Sequence, residues 1–372
     1  MKLTIERAAL LKALGHVQAV VERRNTIPIL SNVLITAGSN GASFAATDLD
    51  IEIQESAAAH VDREGMATAP AHTLYEIARK LPEGADVTLE LDGDDPRLSL
   101  KAGRSSFSLP SLPPGDFPMM PAEDLQHAFQ LEADALARLI DKTRFAVSTE
   151  ETRYYLNGIH LHAADDNNRK TLRAVATDGH RLALSECDLP EGAGGMPAVI
   201  VPRKTVQEAR RLLEDADDDI QISVSDGKIR FGFGRAVLTS KLIDGSFPDY
   251  ERVIPRGNEK LMAVDNKRFA EAVDRVATIS IEKSRSVKLS LDDGTLTLAV
   301  NNPESGQAVE ELPVESKEGG FAIGFNARYI LDVAGQIEGE EARFHFADPA
   351  SPTLVTDSGD ADSLYVLMPL RV

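Results

Sequence analysis

The feature that most limits what this chain can fold into is an internal repetition. Ala174-Val-Ala-Thr-Asp-Gly-His-Arg-Leu-Ala-Leu184 is a β-branched apolar run, a turn at Asp178-Gly179 and an alternating run after it. Glycine accepts the positive φ that tight turns need, so the stretch predicts a hairpin. The same pattern occurs earlier as Phe44-Ala-Ala-Thr-Asp-Leu-Asp-Ile-Glu-Ile53 and, more loosely, later as Leu298-Ala-Val-Asn-Asn-Pro-Glu-Ser305. The surroundings repeat too. Leu3-Thr-Ile5-Glu6, Phe129-Gln-Leu131-Glu132 and Met262-Ala-Val264-Asp265 each read as a short strand ending on an acidic residue at a helix start. Apolar stripes follow at Leu10, Leu11, Leu14; at Leu136, Leu139, Ile140; and at Phe269, Ala272, Val273. Downstream, Ala69-Pro70, Val201-Pro202 and Phe325-Asn326 lead into second stripes, and Pro or Asn fits a helix N-terminal boundary. The chain is three copies of one α+β module.

The modules are predicted at residues 1–126, 127–254 and 255–372. The proline-rich Leu109-Pro-Ser-Leu-Pro-Pro-Gly-Asp-Phe-Pro-Met-Met-Pro121 cannot form regular structure and serves as a connector. Leu242-Ile-Asp-Gly-Ser-Phe-Pro-Asp-Tyr250 is its equivalent, and both contain a Gly-Asp/Ser-Phe-Pro spelling. The third module ends on the apolar Leu364-Tyr-Val-Leu-Met-Pro-Leu370, which either completes a sheet or lines something.

With 372 residues, 42% of them hydrophobic, each module can bury a core of its own. No run reaches the roughly 18 apolar residues of a membrane span. Met1-Lys-Leu-Thr-Ile-Glu opens the first module without an apolar signal segment, and the single Cys187 excludes an internal disulfide. A reducing, cytoplasmic setting is expected. The net charge of −19 argues against a sequence-reading nucleic-acid binder. Yet the candidate helices hold Lys12, Arg79, Lys80, Arg138, Lys142, Arg203, Lys204, Arg210, Arg211, Lys267, Arg268, Arg275 and Arg328, with fewer acids. Two readings stay open: helices favour cations in their last turns, or a neutral-to-basic helical face stands on an acidic body.

No assembled chemistry is visible. Walker and Rossmann glycine motifs are missing, and Gly232-Phe-Gly234 is too short. His160-x-His162 places two imidazoles on one strand face, but no third metal ligand is spaced with them. Asp178 and His180 flank a turn; Asp48 recurs at the same place in the first module, so the aspartate pins the turn. No catalytic residue, cofactor or metal is expected, and the protein is not read as an enzyme.

The residues Arg153-Tyr-Tyr-Leu-Asn-Gly158, Ala176-Thr-Asp-Gly-His-Arg-Leu182, Val201-Pro-Arg-Lys204, Ser240-Lys-Leu-Ile-Asp-Gly-Ser-Phe-Pro-Asp-Tyr250 and Met368-Pro-Leu-Arg-Val372 resemble the bacterial DNA polymerase III beta subunits, the replication sliding clamps. The resemblance spans the whole chain. It implies a head-to-tail homodimer whose six modules close a ring around duplex DNA, helices lining the interior and antiparallel sheets outside. It implies sequence-independent DNA contact through residues matching Arg24, Tyr154, Tyr155, Arg203 and Lys204, with Glu150 where the family's best-known form has glutamine. It implies a dimer contact at Phe107 and Leu109 on one side and Thr278 and Ile279 on the other, with Thr278 replacing a larger aliphatic. Arg104, Glu304, Glu310 and Glu311 are candidate partners across that contact. It also implies a peptide pocket of Leu156, Thr177, Gly179, His180, Leu182, Pro248, Arg252, Val253, Val366, Met368, Pro369 and Leu370. There the replicative polymerase, the clamp loader and repair proteins would dock short apolar peptides. The competing reading is a three-domain peptide-binding adaptor that does not encircle DNA.

Overall fold

The computed structural model describes residues 1–93, 96–121, 125–166, 169–216, 218–280 and 285–371. Among them are six α-helices, two in each repeat: α1 (Arg7–Val17), α2 (Ala71–Lys80), α3 (Ala133–Asp141), α4 (Arg203–Leu212), α5 (Asn266–Ala277) and α6 (Ala327–Ala334). Each follows a strand and buries most of the stripe predicted for it, Leu11 being only half-buried. Leu10, Leu14 and Val17 are buried on α1, Phe269, Ala272, Val273 and Val276 on α5, and Ile330 and Val333 on α6. Asp265 caps α5 by accepting the Arg268 N–H, and Asn326 caps α6 by accepting the Arg328 N–H. Glu6 does not cap α1; the Arg7 N–H donates instead to the Ala85 carbonyl at 2.9 Å.

The chain divides into two compact units. The first comprises residues 1–136, 190–197 and 204–242. It holds a five-stranded antiparallel sheet in the order His60–Arg63, Lys2–Glu6, Asp86–Glu90, Arg97–Ala102, Ser105–Pro110. Its eight-stranded antiparallel sheet runs His127–Leu131, Ile220–Val224, Lys228–Phe233, Ala236–Lys241, Ile51–Ala57, Gly41–Thr47, Asn32–Gly38, Gly65–Pro70. The second unit comprises the remaining residues. Its nine-stranded sheet runs Val199–Pro202, Gly158–Asp166, Arg169–Thr177, Arg181–Asp188, Ser363–Leu367, Thr353–Asp357, Glu341–Phe346, Lys260–Asp265, Glu315–Ser316. A four-stranded sheet runs Gly306–Pro313, Thr295–Asn302, Ser286–Asp292, Phe321–Asn326.

Both larger sheets join strands from different repeats. In the first unit Ile51–Ala57 pairs with Ala236–Lys241, with Ile53 opposite Leu238. In the second, Arg181–Asp188 pairs with Ser363–Leu367, with Leu182 opposite Val366. The apolar C-terminal strand therefore completes a sheet.

The repetition extends to single hydrogen bonds. Asp48 Oδ1 accepts the N–H groups of Asp50 and Ile51 at 2.9 and 2.8 Å. Asp178 Oδ1 accepts those of His180 and Arg181 at 2.9 and 3.0 Å. Asn302 Oδ1 accepts those of Glu304 and Ser305 at 3.0 and 3.4 Å. The aspartate does pin the turn. Gly179 takes φ 86° at the tip, where the first repeat has Leu49 at φ 81°. A left-handed leucine costs on the order of 1–3 kcal/mol; the Thr47 hydroxyl, accepting the Leu49 N–H at 3.0 Å, helps to hold it.

A buried charge cluster ties α3 to the C-terminal repeat within the second unit. Lys142, its side chain 5% exposed, donates to the Gln336 carbonyl and pairs with Glu338 at 2.8 Å and Asp360 at 3.9 Å. Arg138 pairs with the other oxygen of Asp360, whose side chain is 2% exposed. Burial pushes the Asp360 carboxyl up, but bonds from Ser363 and the Asp362 N–H, with the two cations, outweigh it and hold the pKa below its ordinary value. Asp360→Asn should cost about 3–5 kcal/mol by urea denaturation at neutral pH, because it removes the buried carboxylate that Arg138 and Lys142 share. A carboxylate lowered on folding contributes fully above its unfolded pKa, about 4, and loses that contribution as pH falls through the folded value. The difference between wild type and variant should therefore close only in that acid range.

Candidate peptide groove and nucleic-acid contacts

The residues expected at a peptide groove lie on four segments of the second unit, Leu156 apart from the rest. The first is the hairpin tip between Arg169–Thr177 and Arg181–Asp188, carrying Thr177, Gly179, His180 and Leu182. Arg181 fixes this tip. It is buried, bonds the Asp178 carboxylate at 3.2 Å, donates to the Phe145 carbonyl at 2.6 Å and pairs with Asp332 of α6. Its guanidinium lies 4.4 Å over the Tyr329 ring, which also stacks with His180 at 6.2 Å. The second segment is the C-terminal strand and its exit. The Met368 N–H donates to the His180 carbonyl at 2.9 Å, and the Leu370 N–H to the Gly324 carbonyl at 2.8 Å. The third is the turn-rich segment carrying Pro248, Arg252 and Val253.

These segments form two levels. Leu182 and Val366 are buried with Val175, Leu184 and Tyr250, and Phe247 and Ile254 pack against that cluster. Above them Gly179, His180, Pro248, Arg252, Val253 and Met368 are exposed, and Thr177, Pro369 and Leu370 are half-buried. The result is an apolar floor with an open, mixed rim. Leu156 is buried at the end of a 3-10 segment, its carbonyl accepting the Ser148 N–H at 3.0 Å. Val372 lies outside the described residues.

The first repeat has the same junction but not the same floor. There the Lys241 N–H donates to the Asp50 carbonyl at 2.9 Å, as Met368 does to His180. Glu52 stands where the second repeat has Leu182. It is buried, accepts the Met120 N–H at 2.7 Å and bonds Gln54 at 2.6 Å. A buried carboxylate capped by the connector leaves no apolar floor. The equivalent turns thus stand over an apolar cluster at the second junction and over a buried carboxylate at the first.

The residues expected at DNA differ in how free they are. Tyr154 and Tyr155 sit in a 3-10 segment, Glu151–Leu156. Their rings meet edge to face at 5.7 Å, with Tyr154 exposed and Tyr155 half-buried. Glu150 pairs with Arg153 at 3.2 Å. Arg24 and Arg203 are exposed, and no ion pair among the described residues holds them. Lys204 is held: its ammonium meets Glu22 at 2.5 Å, Asp48 at 2.6 Å and the Val20 carbonyl at 3.3 Å.

The expected dimer residues flank two free strand edges. Phe107, 36% exposed, lies on Ser105–Pro110, the edge of the five-stranded sheet. Leu109 is only 7% exposed; it faces Leu98 inside its own sheet and belongs to the chain's core. Of the two, Phe107 offers the more exposed apolar surface. Thr278 is the exposed C-cap of α5, and Ile279 is half-buried. Nearby, Gly306–Pro313 forms the edge of the four-stranded sheet, with Val309 64% exposed. Glu310 is engaged within its own chain, bonding Arg275 at 2.6 Å.

The residues that sequence reasoning passed over are Phe247 and Tyr250, treated as connector although both were spelled out in the motif. Among the described residues no cluster of three or more His, Cys, Asp or Glu could hold a metal, and no helix is long and apolar enough to cross a membrane. Burial pushes the Cys187 thiol up to about 11, far from a reactive thiolate.

Comparison with known proteins agrees over the whole chain. The DNA polymerase III beta subunit families match in order: the N-terminal domain at residues 1–121, the central domain at 130–249 and the C-terminal domain at 251–371. The beta sliding clamp of Caulobacter vibrioides is 64% identical over 372 residues, covering all of both chains. Among solved structures, Caulobacter crescentus pol III beta superposes with a TM-score of 0.96 at 63% identity, and the sliding clamp from Bartonella birtlesii bound to griselimycin with 0.97 at 48%, each over all of both chains. Three domains matched in order, and full-length relatives at this identity, place the chain in the bacterial DNA polymerase III beta subunit family, the beta sliding clamps.

Proposed function

We infer that this chain is a DNA sliding clamp: a non-enzymatic processivity factor that closes as a homodimer around duplex DNA and tethers the replicative polymerase. The full-length match to the beta sliding clamps carries this reading and disfavours an adaptor that leaves DNA free. It works in the bacterial cytoplasm, on the three modules proposed from the sequence. Partners, including the clamp loader and repair proteins, dock extended apolar peptides on the Leu182–Val366 floor, between His180, Met368 and the Pro248–Val253 rim.

Closure uses the two free edges. Ser105–Pro110 of one chain and Gly306–Pro313 of the other offer unpaired backbone groups, the kind of edge that another strand covers. Phe107, Thr278 and Ile279 flank them, and Val309 adds apolar surface.

DNA contact is through phosphates, from Arg24, Arg203 and the Tyr154–Tyr155 pair, with Lys204 available only when it gives up Glu22. Many helical cations are already paired: Arg79 with Glu76, Arg211 with Glu208, Arg275 with Glu310, Arg328 with Asp332. Adhesion is therefore weak and retention topological.

Three outcomes are expected. Loaded onto a nicked circle, the dimer should survive salt that strips phosphate binders and leave when the circle is cut; unchanged retention on linear DNA would rule out encirclement. Phe107→Asp should place a charge in the contact and shift sedimentation toward monomer, whereas an undisturbed dimer takes Phe107 out of it. Deleting residues 368–372 should abolish peptide binding in a dimer that still assembles. Leu and Phe anchors contribute about 1.5–3 kcal/mol each against the ordering cost, so the intact protein should bind with Kd of roughly 1 mM to 1 μM. Equal titrations for the two proteins would show that the tail only completes the sheet.

A further inference from the structure

The pair His160 and His162 has no part in the function as described above. Both project from one face of the Gly158–Asp166 strand, as i, i+2 residues must. Their rings lie 4.7 Å apart. His160 stacks face to face on Phe247, 4.6 Å away and 4° from parallel. His162 Nδ1 lies 3.0 Å from the Ala163 carbonyl, which can only accept, so that nitrogen carries the proton. Its Nε2 is then free to accept from the Tyr250 hydroxyl at 3.0 Å. The Arg173 guanidinium donates to the same hydroxyl at 3.5 Å.

Burial lowers the pKa of both rings, that of His160 to about 4 with a further contribution from His162. At neutral pH two uncharged rings therefore sit side by side without repulsion. The groups facing them are Arg173, Glu251, Asp166 and Tyr250.

The segment these rings grip is held to the sheet mainly by side chains. Residues 242–249 belong to no strand or helix, and a single 3-10 turn, Tyr250–Arg252, follows. Pro248, Arg252 and Val253 are exposed. The side-chain ion pair of Arg252 is with Asp249, and the Val253 N–H donates to Tyr250, both within the segment itself. Phe247, Tyr250 and Ile254, packed on the floor cluster, and Glu251, paired with Arg173 at 3.6 Å, are its attachments to the sheet, and the two histidines touch the first two of them.

We propose that His160 and His162 are positioning residues for the peptide groove, gripping Phe247 and Tyr250 and so fixing the wall made by Pro248, Arg252 and Val253. The proposal rests on the groove reading above. It assigns the two histidines to peptide affinity, not to a metal.

The test uses the full-length dimer, amide hydrogen exchange of residues 247–253 without ligand, and titration with a capped, uncharged peptide carrying one Leu and one Phe. His160→Ala should speed exchange across 247–253 and raise the peptide Kd at least fivefold at pH 7. His160→Phe, which keeps a flat ring over Phe247, should restore both. His162→Ala and Tyr250→Phe should each weaken binding, and their combination should be no worse than the stronger single change, since they remove the two ends of one hydrogen bond. If wild type binds the peptide and His160→Ala changes neither exchange nor affinity, the grip is refuted while the groove stands. Faster exchange with unchanged affinity also refutes it, because the segment would be held without serving as a wall. Absence of binding by wild type removes the groove itself and the proposal with it.

Discussion

The antiparallel pairing of Arg181–Asp188 with Ser363–Leu367 is the contact on which the rest depends. It joins strands 178 residues apart, as the 3.0 Å bond between Ser185 and Ser363 marks, so its loop must be closed against chain entropy before it returns anything. Burial of Leu184, Tyr365 and Val366 offsets that cost. Register is fixed tightly. A slip of one residue would turn Val366 from the floor to the opposite face and separate the two serines. The groove exists only in this register, since Leu182 must stand opposite Val366 and the Met368 N–H must reach His180. The corresponding pairing in the first unit uses the same geometry, and one substitution of character, Glu52 for an apolar residue, closes it. What differs between the two junctions is thus the side chain beneath the turn and not the backbone.

The repeat was legible because its marks are local. An Asp or Asn that accepts two N–H groups just beyond itself is a turn device whose partners are its sequence neighbours, so Asp48, Asp178 and Asn302 could be read without a fold. Helix stripes were legible for the same reason. What could not be read depends on distant partners. Leu109 looks like surface from its proline-rich neighbourhood and is core because Leu98 lies opposite. Which of Tyr154 and Tyr155 is exposed is set by the 3-10 segment Glu151–Leu156, which no local motif announces. The spacing of His160 and His162 put their rings on one face correctly. It could not distinguish a metal pair from two rings that meet Phe247 and Tyr250, because those lie some 90 residues on, and that contact is tertiary.

Net charge and local charge act at different ranges in this protein. A total of −19 repels DNA from the surface at large, so any attraction must come from particular side chains, and Lys204 shows how it is limited. One oxygen of Asp48 holds the turn while the other takes the Lys204 ammonium, so the lysine and the hairpin are parts of one bonded unit. The two carboxylates on that lysine are not equivalent. Asp48 is 14% exposed and committed to backbone N–H groups; Glu22 is 59% exposed. Breaking an exposed pair costs about 0–1 kcal/mol, whereas releasing Asp48 would also undo the turn. A phosphate can therefore replace Glu22 but not Asp48, exchanging one anion for another at little net gain. Contacts of that kind would hold a duplex loosely at every register along its helix, with no position preferred. A protein whose hold comes from closure around the duplex has no use for stronger ones, which would resist the movement that closure permits.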